Sequence, residues 1–128
     1  MLRAMGWVYV GLAGVVALFQ LSLAFGAPWG SYTMGGAVPG VLTPDLRVAA
    51  FAQAFILLWF ALVVAGRAGI GRHPLAPPRF IWVVALFGVL TLVANLASPS
   101  LPERNLWGPV AAMMLAAVLT VWWETRNR

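Results

Sequence analysis

VAAFAQAFILLWFALVVAG, residues 48–66, holds no acid and no base, and Arg47 and Arg67 stand at its two ends. A membrane-crossing helix needs about 20 mostly apolar residues at 1.5 Å rise each. Because lipid offers no hydrogen bonds, such a run must satisfy its own backbone, and the helix is the form that does so. Residues 5–26, 80–97 and 106–123 repeat the pattern, and none of them contains Asp, Glu, Lys or Arg. Eight of the nine prolines fall between the runs, as helix breakers should. The ninth, Pro109, is expected in the first turn of the fourth helix, where proline is tolerated.

The composition agrees. Of 128 residues, 62% are hydrophobic and 9% charged, with mean hydropathy +0.92. A soluble domain carries about 25% charged residues. So few charges do not cover a water-facing surface, and the length suits one domain, 1–128. The expected fold is all-α: a four-helix transmembrane bundle with a long loop between helices 1 and 2.

Arginine placement sets an expected orientation. Arg3, Arg67, Arg72, Arg79, Arg126 and Arg128 fall on one side of a four-span chain, against Arg47 and Arg104 on the other. Both termini are therefore expected in the cytoplasm. Trp7, Trp82, Trp122 and Trp123 would mark the inner boundary, Trp29 and Trp107 the outer one. Trp59 is too deep for either belt. The first run exceeds the roughly 7–15 apolar residues of a signal peptide, so it is read as an uncleaved span.

Several chemistries are excluded. There is no Cys and no Lys, and His73 is the only His. One His without Cys or a nearby acid makes no metal site, so neither metal nor cofactor is expected. Ser22, Ser31, Ser98 and Ser100 lack a base on their side of the membrane. The basic residues are not interleaved with aromatics, which argues against a nucleic-acid partner. The arginine-bearing loop is expected to meet anionic lipid headgroups.

Helices in lipid associate through small residues and a few hydrogen bonds, so the polar residues were phased at about 100° per residue. Gln20 shares a face with Gly6, Tyr9, Ala13, Ala17 and Ala24. Arg47 lines up with Ala50, Ala54, Ala61 and Ala65, with Gln53 on the edge of that stripe. Asn95 aligns with Gly88, Thr91 and Ser98. In the fourth helix Asn105, Ala112, Ala116 and Thr120 align. These stripes are expected to meet inside. Gln20, Gln53 and Asn95 all lie toward one end, with Asp45, Arg47, Glu103, Arg104 and Asn105 just beyond. Two readings stay open: the amides are interhelical glue, or they line a shallow outward-opening pocket for a neutral or zwitterionic ligand.

Between the first two runs lies GAPWGSYTMGGAVPGVLTPDLR, residues 26–47. At about 20 residues it far exceeds the usual helix–helix connection of 2–8. Its glycines permit turns, and Trp29 and Tyr32 give it something to pack. It is expected to fold over the outer mouth. Arg47 is expected to reach Glu103, and Asn95 to hold a loop carbonyl. Thr43 and Asp45 compete to cap the second helix.

Gly26-Ala-Pro-Trp-Gly30, Gly35-Gly36, Pro39-Gly-Val-Leu42, Pro44 and Leu46-Arg-Val-Ala49 resemble a family of small four-span bacterial membrane proteins with a GAPWG…GG…PGVLP…LRVAS signature. Ala94-Asn-Leu-Ala-Ser-Pro-Ser100, Glu103-Arg104 and Trp107-Gly-Pro109 resemble its later NxxxPSxxER…WxP segment. Here Thr43 precedes Pro44, and Ala50 stands where Ser is often seen. The resemblance implies a layout and a bacterial cytoplasmic membrane, not a reaction. It singles out Gly26, Pro28, Trp29, Gly30, Gly36, Pro39, Leu46, Arg47, Asn95, Glu103 and Arg104.

The candidate ligand-binding or loop-anchoring residues are therefore Gln20, Trp29, Tyr32, Arg47, Gln53, Asn95, Glu103 and Arg104. The expected function is a binding or accessory membrane protein, its partners membrane lipids and a second copy or another protein within the membrane. The alternatives are an enzyme on a lipophilic substrate, which the lack of an acid within the spans disfavours, and a small oligomeric transporter.

Overall fold

The computed structural model describes residues 1–127. Its four long helices are α1 (Leu2–Ala24), α2 (Pro44–Arg67), α3 (Ile81–Leu96) and α4 (Leu101–Thr125). Short 3-10 turns occupy Gly30–Tyr32 and Met34–Gly36 between α1 and α2, and a third, Pro78–Phe80, leads into α3. All four helices, α3 counted with its leading turn, are long and apolar enough to cross a membrane.

Small residues bring α1 and α2 together in the most extensive pairing. Gly6, Ala13 and Ala17 are buried on α1, and Ala50, Ala54 and Ala61 on α2. With no hydrophobic drive between helices in lipid, this close backbone approach is what dispersion rewards. At Gly6 an added Cβ would lie 2.6 Å from the Ala68 Cβ. α3 lies mainly on α4, and α4 on α1, while α2 and α3 touch far less.

Toward the arginine-rich end, Val63, Val64, Ile81, Val84, Val118 and Val121 are sealed into a common core. Toward the loop end a smaller cluster forms from Leu23, Leu42 and Ala50. The outer surface carries exposed Leu18, Val48, Phe55, Leu90 and Val93. Such a surface suits hydrocarbon and not water.

The two arginines bracketing α2 each close a neighbouring helix. The Arg47 Nε donates to the Ala24 carbonyl at 2.9 Å, at the last turn of α1. The Arg67 Nε donates to the Thr125 hydroxyl at 2.7 Å, and its Nη2 to the Thr125 carbonyl at 3.1 Å, at the last turn of α4. Helix C-termini present carbonyls without intrahelical donors and carry partial negative charge, so a guanidinium serves both needs.

Four expectations need correction. The fourth helix starts at Leu101 and not near residue 106, because Ser100 caps it and Pro102 lies in its first turn. Pro109 is consequently inside the helix, where it supplies no N–H to the carbonyl of Asn105. The phasing of α4 was also wrong. Asn105, Ala112 and Ala116 are exposed, and Thr120 donates back to the Ala116 carbonyl at 2.8 Å. The buried face is instead Glu103, Gly108, Ala111, Ala117, Val118 and Val121. On α3 the buried residues are Ile81, Val84 and Ala85, near its start, whereas Thr91 is exposed and Asn95 half-buried.

Trp59 finds its reason in the fold. Its Nε1 donates to the Leu75 carbonyl at 2.8 Å, so the α2–α3 loop folds back onto the indole.

Candidate functional site

Residues 25–43 build a compact lid on the start of α4. At Gly30 the backbone N–H donates to the Gly40 carbonyl at 2.8 Å. A Cβ there would fall 1.8 Å from the Val38 oxygen, so only glycine permits this crossing.

The lid is held by an incomplete capping box. Ser100-Leu-Pro-Glu103 has the S-x-x-E spacing in which each end side chain normally bonds the other's backbone N–H. Here the Ser100 Oγ accepts from the Glu103 N–H at 3.3 Å, but the reciprocal bond is absent. The Ser100 N–H goes to the Ser98 Oγ at 3.1 Å. The freed Glu103 carboxylate accepts the Gly35 N–H of the lid at 3.1 Å. The Ser100 hydroxyl also donates to the Ser31 carbonyl. Both ends of the box thus bind the lid.

Beneath the lid the helices leave a cavity of about 100 Å³, lined from all four of them and from Tyr32 and Thr33. Leu57, Phe60, Val84, Phe87 and Met114 make its deeper wall mostly apolar, with Tyr9 beside them. Gln20, Glu103 and Trp107 reach it nearer the lid. Glu103 is only 7% exposed and Gln20 8%. Gln20 Oε1 and Trp107 Nε1 are buried with no hydrogen-bond partner. An unmet buried polar atom carries a desolvation penalty of about 1–3 kcal/mol. One of these is an acceptor and the other a donor, and both residues line the cavity, so a hydroxyl or amide, which can donate and accept, has the matching chemistry.

A second recess, of about 770 Å³, lies outside, lined by Trp29, Leu101, Pro102, Asn105 and Leu106. Phe19 and Tyr32 line both spaces and form the partition between them. Phe19 is stacked with Trp29 at 6.1 Å and tilted against Trp107 at 4.7 Å.

No protein family, curated protein or solved structure matches this chain.

The structure gathers Gln20, Tyr32 and Glu103 at the cavity and puts Trp29 at the outer recess. It does not bring the other candidates there. Gln53 is exposed on α2, not on the edge of an interior stripe. Arg104 is exposed too. Asn95 donates to the Thr91 carbonyl of its own helix at 2.9 Å and holds no loop carbonyl. Arg47 is committed to Ala24 and Glu103 to Gly35, so the expected Arg47–Glu103 pair does not form. Thr43 is the N-cap residue of α2 but makes no capping bond; its hydroxyl donates to Asp45 instead.

Sequence reasoning passed over Phe19, Thr33, Ser100 and the inward role of Trp107. For Ser100 the signal was present in the S-x-x-E spacing. Trp107 sits at an expected membrane boundary in the sequence, and only the tertiary packing turns it inward. Among the described residues no cluster of three His, Cys, Asp or Glu could hold a metal.

Proposed function

We propose that this protein is a membrane-embedded binding protein. In this reading its lidded cavity holds a small hydroxyl- or amide-bearing group of a lipophilic molecule. The observation that carries the reading is the pair of buried, unpartnered polar atoms, Gln20 Oε1 and Trp107 Nε1, on two residues that line one cavity with a mostly apolar deeper wall. A cavity of about 150 Å³ lined only by carbon stays dry and takes benzene. This one is smaller and partly polar, which suits a short polar group and the first carbons behind it. Phe19 and Tyr32 would move aside for it, with the outer recess as the way in.

With the arginine-rich side in the cytoplasm, the lid faces outward. Membership in the four-span family with the GAPWG signature is part of the same proposal. Its support is that Gly30, Gly36, Arg47 and Glu103 are among the residues that build or anchor the lid end.

The test compares 1-hexanol with 1-chlorohexane on the full chain in detergent, by thermal unfolding. Hexanol should raise Tm saturably and chlorohexane should not. The Gln20→Leu and Trp107→Phe variants should lose the difference. Equal responses to both probes, or an unchanged hexanol effect in both variants, would overturn the reading.

A second reading, acid–base chemistry on a lipophilic substrate, has one observation in its favour. Glu103 puts a carboxylate on the cavity wall, where the spans alone supplied no acid. Glu103→Gln keeps a group able to accept from Gly35, so it should leave hexanol binding intact. It would abolish turnover of a substrate that depends on that proton.

A further inference from the structure

The opposite end of the molecule holds a different kind of recess. It measures about 540 Å³ and is lined by Arg67, Arg72 and Arg79, with Gly69, Gly71 and Thr125 among their neighbours. Among the described residues no carboxylate lines it. Glu124, the acid nearest in sequence to Thr125, lines a separate recess with Arg126, Trp122 and Trp123.

The charges around this recess are unequally used. Arg67 spends its donors on Thr125 and, at 3.5 Å, on the Pro78 carbonyl. It thereby offsets the partial negative charge at the carbonyl end of α4. Arg72 and Arg79 are exposed, and no side-chain hydrogen bond to the protein engages either guanidinium among the described residues. Arg79 lies over the Phe80 ring at 4.8 Å, which orients the group without using its N–H donors. Two free guanidinium forks beside a third positive charge match the oxygens of a phosphate, which they can bind in bidentate fashion.

Depth points the same way. Trp7, Trp82, Trp122 and Trp123 are exposed toward this end of the helices. Indoles exposed near helix ends collect at the membrane–water boundary. The recess therefore lies at headgroup level, where basic pockets between transmembrane helices take anionic lipid heads.

We propose that the Arg67–Arg72–Arg79 recess is a binding site for one phosphate-bearing group, supplied in the membrane by an anionic phospholipid. It shares no lining residue with the lidded cavity.

The test uses the full chain in detergent, titrated with dihexanoyl phosphatidylglycerol, dihexanoyl phosphatidylcholine and inorganic phosphate, with binding followed by native mass spectrometry. Phosphatidylglycerol should saturate one site and phosphatidylcholine should bind much more weakly. In the Arg72→Gln/Arg79→Gln double variant, affinity for phosphatidylglycerol should fall about thirty-fold. Both side chains are exposed, and Arg67 is kept so that α4 stays closed; an unchanged Tm confirms that the variant folds. Inorganic phosphate binding as tightly as the lipid, and lost in the same variant, would support the phosphate chemistry and assign it to a soluble source. Equal binding of the two lipids, or undiminished binding in the double variant, would overturn the site.

Discussion

One carboxylate oxygen of Glu103, in the first turn of α4, accepts the backbone N–H of Gly35 in the lid at 3.1 Å. The two residues lie 68 positions apart in the chain. Hydrogen bonds to a charged group contribute about 1.5–3 kcal/mol. Glu103→Ala should lower stability by an amount in that range. Amide exchange should accelerate across residues 30–40 while the cores of α1 and α2 keep their protection. Glu103→Gln should retain most of the lid protection.

Arg47 and Glu103 have separate partners, so their losses should add. In a double-mutant cycle of Arg47→Ala and Glu103→Ala, the coupling should stay within about 0.5 kcal/mol. Chemical denaturation of the four proteins measures it. A coupling well above that value would show that the two side chains meet.

Arg67 and Thr125 should be coupled. Thr125→Val removes the hydroxyl that accepts from Arg67 and leaves the guanidinium short of a partner. The expected loss is about 1–2 kcal/mol in the native background. It should shrink clearly when Arg67→Gln is already present. Denaturation midpoints for the cycle give the answer.

Gly30→Ala should open the lid more than any other single methyl addition within it. The new carbon would fall 1.8 Å from the Val38 oxygen, and backbone, not a flexible side chain, stands in the way. Limited proteolysis between residues 30 and 40 should quicken, and the hexanol effect should be lost. Gly40→Ala is the comparison: nothing lies within 4 Å of its new carbon, though its φ of +87° strains any side chain.

Gln20→Leu should stabilise the unliganded protein by about 1 kcal/mol, because it removes a buried acceptor with no donor. A variant that gains stability while losing its ligand response marks a residue kept for binding. Thermal unfolding with and without 1-hexanol separates the two effects.

The layout was legible because the physics behind it is one-dimensional. Runs of 18 or more apolar residues without charge leave no alternative to four long helices. The inward faces of α1 and α2 were legible too. Gly6, Ala13 and Ala17 lie on one side of α1, Ala50, Ala54 and Ala61 on one side of α2, and most of the bulky residues lie elsewhere on both helices. α4 offered no such contrast. Ala112 and Ala116 lie on one of its faces, Ala111 and Ala117 on the other, and in lipid both faces are apolar. Burial there follows from which neighbour arrives, and that depends on where the helix begins. The S-x-x-E spacing at Ser100 marks that beginning, and reading it would have shifted the start by five residues. The separate commitments of Arg47 and Glu103 were not legible. Both charges sit at the loop end, and only the folded lid decides that Gly35 reaches Glu103 first.

Arg67 lies twenty positions after Arg47, about 30 Å along a helix, close to the thickness of a bilayer's hydrocarbon layer. Each guanidinium is tied to the end of a different neighbour, so α2 acts as a strut with both ends pinned. It does not lean or slide to suit its surroundings without tearing one clasp. A thinner or thicker membrane must pucker around the protein instead, and that elastic mismatch would bias which membranes the protein settles in.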